Sequence, residues 1–237
     1  MVIPKIIHYC WFGGAQKPED VQRYITTWRE LCPDYEIKEW NESNFDVTQN
    51  DYCREAYEAK KWAFVTDYAR LRVLLECGGI YMDADVEVIK PFDDLLEYEA
   101  FSGYESTSDI STGTLAASKG NEWIDMLLRD YDHRHFIGKD GEYDLTTNVA
   151  VITRLTKERY GLHLDGERLV FGNGILLLPF DYLCAKDWRT GELYRTEHTY
   201  TIHHFAGSWL PPKLTRWEKW CKKARRIGSR LHLCQAL

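Results

Sequence analysis

Hydrophobic and polar residues change their period twice within the first forty residues of the chain. The segment PKIIHYCWF is β-branched and aromatic, which predicts a buried strand that ends at the pair Gly13-Gly14. Apolar residues in KPEDVQRYITTWREL then recur at helical spacing after a proline and two acids, which predicts a helix. YEIKEW alternates and predicts a second strand, closed by Asn41. This β-α-β order favours an α/β fold with a largely parallel sheet.

The strongest helical pattern runs through YCREAYEAKKWAFVTDYARLRVLLECGG, and we expect it to break near its middle. The pair Gly78-Gly79 predicts the end of the second helix. IYM is then a short predicted strand, and VEVI continues as extended structure until Pro91. Two aspartates, Asp83 and Asp85, therefore lie at the end of a short strand.

Beyond Pro91 the pattern predicts loops, helices around NEWIDMLLRDY and TTNVAVITRLTKERY, and strands at GILLLP and YTIHHF. An amphipathic helix is expected after Pro211-Pro212. The chain has no internal repeat and no low-complexity linker. We therefore expect one domain over residues 1–210 and a C-terminal helical extension over residues 211–237.

Charge is distributed unevenly along the chain. The formal net charge is -7, but the residues from Lys213 onward hold eight Lys/Arg against one acid, Glu218. That segment carries +7, which leaves -14 for the residues before it. The acidic body argues against a nucleic-acid partner. The basic segment predicts either a solvated helix packed on the body or binding to an anionic membrane surface.

The seven cysteines are scattered without a CxxC pair, which favours a reducing compartment over a disulfide framework. The first residues, MVIPKIIHYCWFGG, do not resemble a signal peptide, and no segment approaches the ~20 apolar residues of a membrane span. We expect a cytoplasmic protein that can also bind peripherally to the inner face of the cell membrane.

Asp83 and Asp85 are the strongest candidates for chemistry. Side chains two residues apart in an extended segment point the same way, so the two carboxylates should lie side by side. Such a pair repels unless a cation lies between or beside its members. Ligands that are all oxygen favour Mg²⁺ or Mn²⁺. A D-x-D triplet is weak evidence by itself, so the surrounding residues decide its meaning.

Several neighbouring residues allow both a structural and a functional interpretation. Asp67 and Arg70 share a helix face, either as a surface ion pair or facing the same site as the aspartates. Only one of His203 and His204 can face the site from a strand, and imidazole suits Mn²⁺ better than Mg²⁺. Trp11 follows the first strand and is either a core residue or a stacking surface for a base.

The segments IPKIIHYCWFGG, FVTDYARLRVLLECGGIYMDADVEVIKPFDDL and HHFAGSW resemble the glycosyltransferase sugar-binding region containing a DXD motif. This group includes capsular-polysaccharide-synthesis enzymes and is related to the clostridial toxin glucosyltransferases. The resemblance implies a GT-A type fold, in which helices flank a mostly parallel central sheet. It also implies a retaining, metal-dependent transferase that uses a nucleotide-diphosphate sugar. Residues from about 105 to 195 match poorly.

The resemblance also implies roles for individual residues. Catalysis would involve Asp83, Asp85 and Arg70. The metal, Mn²⁺ or Mg²⁺, would be bound by Asp83, Asp85 and His204, the histidine three residues before Gly207. The donor, most simply a UDP-sugar, would contact a larger set: Trp11, Gly13, Asp67, Arg70, Tyr81, Asp83, Ser208 and Trp209. The acceptor would be a glycan or a lipid-linked glycan of polysaccharide biosynthesis, and Asn148 is a candidate on its side because it is polar and begins a predicted helix.

Two other functions remain open at the level of sequence. MDADV also fits the D-x-D-x-[TV] pattern of a haloacid-dehalogenase-like phosphatase, in which the first aspartate is a nucleophile. That pattern should follow a hydrophobic first strand, whereas here it follows a helix and two glycines. A non-catalytic carbohydrate-binding protein would account for the aromatic content of 14%, but not for the paired aspartates.

Overall fold

The computed structural model describes residues 2–206 of the 237-residue chain. Its centre is a seven-stranded sheet with the order β2-β1-β3-β6-β5-β8-β7, and β4 pairs with β9 in a second, two-stranded sheet. The strands are β1 (Ile6–Cys10), β2 (Glu36–Trp40), β3 (Gly79–Met82), β4 (Val86–Val88), β5 (Ala100–Tyr104), β6 (Ile110–Ala117), β7 (Leu169–Phe171), β8 (Ile175–Leu178) and β9 (Thr201–His203). The helices are α1 (Glu19–Leu31), α2 (Asp51–Glu58), α3 (Trp62–Cys77), α4 (Glu122–Arg129), α5 (Asn148–Tyr160) and α6 (Phe180–Leu183), with short 3₁₀ turns at Asp93–Leu95 and Asp130–His133.

Most strands of the large sheet run in one direction, as the sequence predicts. β1 is parallel to β2 and β3, and β5 is parallel to β8. β6 is antiparallel to both β3 and β5, and β7 is antiparallel to β8. The strands β2, β1, β3, β5 and β8 therefore end at the same edge of the sheet, where open α/β folds bind their ligands.

Local sequence signals account for the positions of several helices. Asp51–Glu58 begins where the Asn50 side chain accepts a hydrogen bond from the Cys53 N–H, and α5 begins where Thr147 accepts one from Ala150. The predicted break between α2 and α3 falls at residues 59–61, where Lys60 has a φ of 57°. The helices α1 to α5 all occur where the pattern predicts them.

Two hydrophobic layers cover the two faces of the large sheet. The α3-side layer contains apolar residues of α2, α3, α4 and α5, whereas the α1-side layer contains those of α1, β4 and α6. Trp28 of α1 is completely buried in the α1-side layer, and its indole N–H donates to the Val86 carbonyl at 2.8 Å. This contact attaches α1 to β4, the strand that follows the two aspartates.

The region between residues 100 and 117 differs from the sequence expectation. It was expected to form loops, but it contains β5 and β6, two completely buried strands in the middle of the sheet. ISTGTLAA of β6 lacks a hydrophobic period because small polar residues occupy part of it. The Ser102 hydroxyl oxygen lies 2.8 Å from the Ser111 carbonyl and 3.0 Å from the Thr114 carbonyl, so its one hydrogen has an acceptor inside the buried sheet. The short elements β7 and α6 were also not predicted.

The expected domain boundary after residue 210 and the basic extension 211–237 lie outside the described residues. Within residues 2–206, no helix is both long and apolar enough to cross a membrane.

His8 in β1 is a fully buried histidine that is neutral for structural reasons. Its Nε2 lies 2.8 Å from the Gly78 carbonyl, and its Nδ1 accepts a hydrogen bond from the Trp40 indole at 3.0 Å. The neighbouring Gly79 has a φ of 107°, and a Cβ there would lie 2.6 Å from the Ile6 carbonyl oxygen. Burial lowers the pKa of His8 to about 4. Only the neutral ring can make both hydrogen bonds, because Nε2 must donate to the carbonyl while Nδ1 accepts from the indole.

We expect the folded protein to lose stability as the pH falls from about 6.5 to about 4 because His8 is protonated more readily in the unfolded chain. The sign follows from the lowered pKa in the folded state, and the loss is on the order of 3 kcal/mol. Urea unfolding at several pH values measures it. His8→Gln should be less stable at pH 7 but should show a flatter pH dependence in this range. Equal slopes for the two proteins would contradict the assignment.

Candidate active site

Residues at the carboxyl ends of three strands converge on one edge of the sheet. Trp11 follows β1, Asp83 follows β3 and Glu105 follows β5. Asp83 and Asp85 lie in a tight turn between β3 and β4, in which the Val86 N–H donates to the Asp83 carbonyl at 3.0 Å. The Asp83 N–H donates to the Gly113 carbonyl of β6 at 2.8 Å. The two aspartates are therefore held by the strands on either side of them.

His203 completes a cluster with the two aspartates. Its Nε2 lies 3.3 Å from Asp85 Oδ1 and 3.9 Å from Asp83 Oδ2. One ligand atom from each of Asp83, Asp85 and His203 can be chosen so that all lie within 4.8 Å of one another. Two carboxylates and an imidazole form a ligand set that suits Mn²⁺ and similar divalent ions. The three residues thus fit a divalent metal ion.

The structure corrects the choice of histidine, because His203 and not His204 reaches the aspartates. His203 pairs with Val86 in the β4–β9 ladder, and neighbouring residues of a strand point to opposite faces. The His204 Nε2 lies 2.8 Å from Glu87 Oε2, and its ring stacks on Tyr24 with centroids 4.3 Å apart. His204 thus packs between α1 and β4.

Gly113 and Phe205 enclose the His203 ring. A Cβ at Gly113 would lie 2.6 Å from the His203 Nδ1, so only glycine leaves room for the ring there. The Phe205 ring stacks on His203 with centroids 4.0 Å apart, and Phe205 has a φ of 52°. The chain turns at this residue so that the Ala206 N–H donates to Asp85 Oδ2 at 2.7 Å. Backbone and packing therefore fix both His203 and Asp85.

Asp85 and His203 form a charged pair in the absence of a cation. Burial alone would raise the pKa of Asp85, but His203 and the Ala206 N–H bring it down to about 2. Burial opposes the charged form of His203, yet Asp85 holds the pKa of the imidazole well above its usual range. A metal ion that binds here must displace the proton of His203, so metal binding is coupled to proton release.

Arg70 is buried next to Asp67 and Asp83. Its Nη1 donates to the Thr112 carbonyl at 2.7 Å, and its Nη2 lies 3.0 Å from Asp67 Oδ1 and 3.4 Å from Asp83 Oδ1. The Tyr81 hydroxyl donates to the same Asp83 Oδ1 at 2.8 Å, and the guanidinium lies 4.7 Å from the centre of the Tyr81 ring. These contacts orient Asp67 and Asp83, and the expected contact between Arg70 and a phosphate stays a prediction.

Asp67 and Asn148 lie together on the α3 side of this cluster. Burial raises the pKa of Asp67 to about 7 although Arg70 acts in the opposite direction. The Asn148 amide nitrogen lies 3.5 Å from the Asp67 carbonyl oxygen. The Asn148 Oδ1 is buried and accepts no hydrogen bond from residues 2–206. The start of α5 therefore lies beside Asp67, and the acceptor-side role of Asn148 stays a prediction.

Trp11 and Gly13 lie in the loop after β1. The Trp11 indole N–H donates to the Ala15 carbonyl at 2.6 Å, and the Lys17 ammonium lies 5.6 Å from the centre of its ring. The Gly13 N–H donates to Glu42 Oε1 at 2.7 Å. Base stacking on Trp11 stays a prediction. Ser208 and Trp209, the expected phosphate contacts, lie outside the described residues.

Sequence reasoning missed the contribution of β6 and the residue Glu105. The Thr112 carbonyl accepts a hydrogen bond from Arg70, and the Gly113 carbonyl accepts one from the Asp83 N–H. Both residues belong to β6, where the sequence pattern predicts a loop. The β5–β6 pairing is irregular there, since Ser102 pairs with Leu115 but Tyr104 pairs with Ile110. Bulges of this kind often occur beside active sites. The glycine inside ISTGTLAA is the one feature of the sequence that could have indicated an irregular strand next to the site.

We expect His203→Ala to weaken Mn²⁺ binding at least about tenfold because it removes one of three ligands. His204→Ala is the matched control and should bind Mn²⁺ as the wild type does, since His204 contacts Glu87 and Tyr24 instead. Isothermal titration calorimetry at fixed pH measures both, and circular dichroism checks that each variant folds. If His204→Ala lost the metal and His203→Ala retained it, this ligand assignment would be wrong.

Comparisons with known proteins agree with this geometry. A family model described as glycosyltransferase sugar-binding region containing DXD motif matches residues 18–102. Inositol phosphoceramide mannosyltransferase 3 of Schizosaccharomyces pombe is 30% identical over 132 residues, which cover 54% of this chain and 37% of that protein. Subversion of eukaryotic traffic protein A of Legionella pneumophila is 24% identical over 190 residues, which cover 66% of this chain and 29% of that protein. The chain thus spans only about a third of the length of these relatives.

Among solved structures, the PaToxG glycosyltransferase is similar in fold. It has a TM-score of 0.52 and 19% sequence identity, and the match covers 66% of this chain and 70% of that one. The matched family region contains Asp67, Arg70 and both aspartates of the cluster. The chain therefore has the GT-A type glycosyltransferase fold, and its residues 18–102 are similar to the glycosyltransferase sugar-binding region containing DXD motif.

Proposed function

We propose that the chain is a metal-dependent, retaining glycosyltransferase that moves a sugar from a nucleotide-diphosphate sugar to an acceptor. One observation carries the proposal. Asp83, Asp85 and His203 converge within 4.8 Å at the carboxyl edge of a GT-A type sheet. The similarity of residues 18–102 to the glycosyltransferase sugar-binding region containing DXD motif supports the reaction class. No comparable support exists for the phosphatase or for a purely carbohydrate-binding protein, since neither explains why a histidine from β9 joins the paired aspartates.

The chemistry of sugar transfer explains why the site concentrates charge. Negative charge develops on the diphosphate as the sugar–phosphate bond breaks, and a divalent ion held by Asp83, Asp85 and His203 would neutralise that charge. Arg70 supports this arrangement indirectly, because it fixes the Asp83 carboxylate from below. We propose that Asp67, which the same arginine contacts, accepts hydrogen bonds from hydroxyls of the donor sugar. In a retaining reaction of this kind, an oxygen of the leaving phosphate takes the proton of the acceptor.

The acceptor and the donor nucleotide are proposed from the relatives and the resemblance. The fission-yeast relative is named for mannosyl transfer to inositol phosphoceramide, a lipid. We propose a glycan or lipid-linked acceptor, in keeping with polysaccharide biosynthesis, and a UDP-sugar or GDP-mannose as donor. Asn148 at the start of α5 is the proposed acceptor-side residue. The natural metal is proposed to be Mn²⁺, with Mg²⁺ as the alternative, because an imidazole ligand favours Mn²⁺.

A lipid-linked acceptor would explain the basic C-terminal segment. The residues from Lys213 onward carry a net charge of +7, which suits an anionic membrane surface. We therefore propose a cytoplasmic protein that binds peripherally to the inner face of the cell membrane. This part of the proposal depends on the amino-acid sequence of residues 211–237 alone.

We expect a nucleotide-sugar to raise the melting temperature of the wild-type protein only when Mn²⁺ is present. At a ligand concentration of 100 times Kd the stabilisation is about 2.7 kcal/mol, which corresponds to roughly 5–10 °C in a protein of this size. UDP-glucose and GDP-mannose are the first donors to screen. Asp85→Asn should abolish the shift, whereas Glu87→Gln, which removes a carboxylate two residues away, should keep it. A shift of equal size without metal would refute the metal dependence.

We expect the protein to bind vesicles that contain anionic lipid. This binding should weaken as the salt concentration is raised from about 50 to about 500 mM, because screening reduces the attraction of the basic segment. Each basic residue near such a surface contributes about 1 kcal/mol. Replacing Lys222, Lys223 and Arg225 by Glu should abolish sedimentation with the vesicles. The same charge reversal at Lys139, Lys157 and Arg159 in the body is the control. Salt-independent sedimentation would contradict an electrostatic contact.

A further inference from the structure

Glu105 lies at the same edge of the sheet as the metal cluster. Trp11 lies on one side of the cluster along this edge, and Glu105 lies on the other side. It directly follows β5, which runs in the same direction as β1 and β3 because β6 is antiparallel to both β3 and β5. The sheet order β1-β3-β6-β5 places the end of β1 on one side of Asp83 and the end of β5 on the other. Trp11, the metal cluster and Glu105 therefore follow one another along the edge.

The Glu105 side chain points to the face of the sheet that carries His203. Tyr104 packs in the α3-side layer, so alternation turns its neighbour Glu105 towards the α1-side layer. Gly103 confirms this direction, because a Cβ there would lie 3.1 Å from Leu183 of that layer. Leu183 is followed by Cys184, whose carbonyl accepts the His203 N–H at 2.9 Å.

The Glu105 carboxylate has no partner within residues 2–206, although it is half-buried. It accepts no hydrogen bond and forms no ion pair there, while the Glu105 N–H donates to the Asp109 carbonyl at 3.0 Å. Burial raises the pKa of Glu105 to about 7, His203 acts in the opposite direction, and Asp109 and Asp83 raise it further. A half-buried carboxylate without donors is costly unless a ligand supplies them.

The loop that follows Glu105 is itself held in place. The Ser106 hydroxyl donates to Asp109 Oδ2 at 2.6 Å, and the same hydroxyl oxygen accepts the Asp109 N–H at 3.1 Å. These hydrogen bonds close the turn between β5 and β6. The backbone at Glu105 is therefore fixed, and its carboxylate is available without a rearrangement of the loop. A fixed side chain of this kind is suited to selecting a ligand by shape.

The order along the edge identifies the part of the donor that reaches Glu105. If the base lies at Trp11 and the diphosphate lies at the metal cluster, the sugar extends towards the end of β5. We propose that the Glu105 carboxylate accepts hydrogen bonds from hydroxyls of the transferred sugar and is a specificity-determining residue. This inference rests on the proposed function. A site built to bind a hydroxyl discriminates strongly against ligands that lack it.

The test compares the binding of a nucleotide-sugar with that of its nucleoside diphosphate. UDP-glucose against UDP, and GDP-mannose against GDP, are titrated into the full chain with MnCl₂ by calorimetry. In the wild type the sugar should add to the affinity of at least one pair. Glu105→Ala should weaken binding of that nucleotide-sugar by about tenfold or more but leave the nucleoside diphosphate unchanged. Glu105→Gln, which retains one acceptor oxygen, should lose less.

Glu122→Gln is the matched control, because it removes a negative charge from the exposed surface of α4 and should not alter the ratio of the two affinities. Thermal unfolding without ligand checks that the variants fold. Unchanged affinities in both Glu105 variants would overturn the inference alone. An equal loss for nucleotide-sugar and nucleoside diphosphate would also overturn it, because Glu105 would then act on the metal or the diphosphate. If the wild type bound none of the four ligands, the proposed function and this inference would both be overturned.

Discussion

The buried guanidinium of Arg70 makes the whole site possible. Asp67, Asp83 and Asp85 lie close together, and carboxylates at such distances repel each other strongly in a poorly solvated environment. Arg70 lies beneath them and contacts Asp67, Asp83 and the Thr112 carbonyl, so one cation joins α3, the end of β3 and β6. Removal of one partner from such a buried network typically costs 3–5 kcal/mol, or roughly a third of the stability of a domain. The arginine therefore contributes to the fold before it contributes to chemistry.

The backbone supplies the rest of the positioning, mainly through β6. The Thr112 carbonyl accepts a hydrogen bond from Arg70, and the Gly113 carbonyl accepts one from the Asp83 N–H, which extends the β3–β6 ladder. Gly113 also leaves the space that the His203 ring occupies. A larger residue at position 113 would displace the histidine, because its Cβ would lie 2.6 Å from the His203 Nδ1. The same strand thus fixes the cationic and the metal-binding parts of the cluster.

The sequence predicts the features that depend on neighbouring residues, but it does not predict those that depend on how distant strands pair. α3 with Asp67 and Arg70 on one face, and the turn with Asp83 and Asp85, follow from helical spacing, glycine stops and alternation. The choice between His203 and His204 depends on the register of β9 against β4, which is not encoded locally. β6 escaped prediction because its burial is achieved by hydrogen bonds to Ser102 rather than by a hydrophobic pattern. Glu105 was missed for the same reason, since its place follows from β5 and β6.

The carboxyl groups of the site differ in their protonation because their surroundings differ. Asp85 has donors on both sides and a pKa of about 2, so it is ionised at neutral pH. Asp67 and Glu105 are raised to about 7 chiefly by burial, so they are partly protonated there. A site with all four carboxylates charged and only Arg70 and His203 opposing them would carry excess negative charge, which would favour the cation but repel a diphosphate. Partial protonation of Asp67 and Glu105 reduces that repulsion, while Asp85 stays ionised and can act as a metal ligand. Hydroxyls of a bound sugar would then supply the donors that the Glu105 carboxylate lacks within residues 2–206, so the ligand itself would complete the electrostatics of the site.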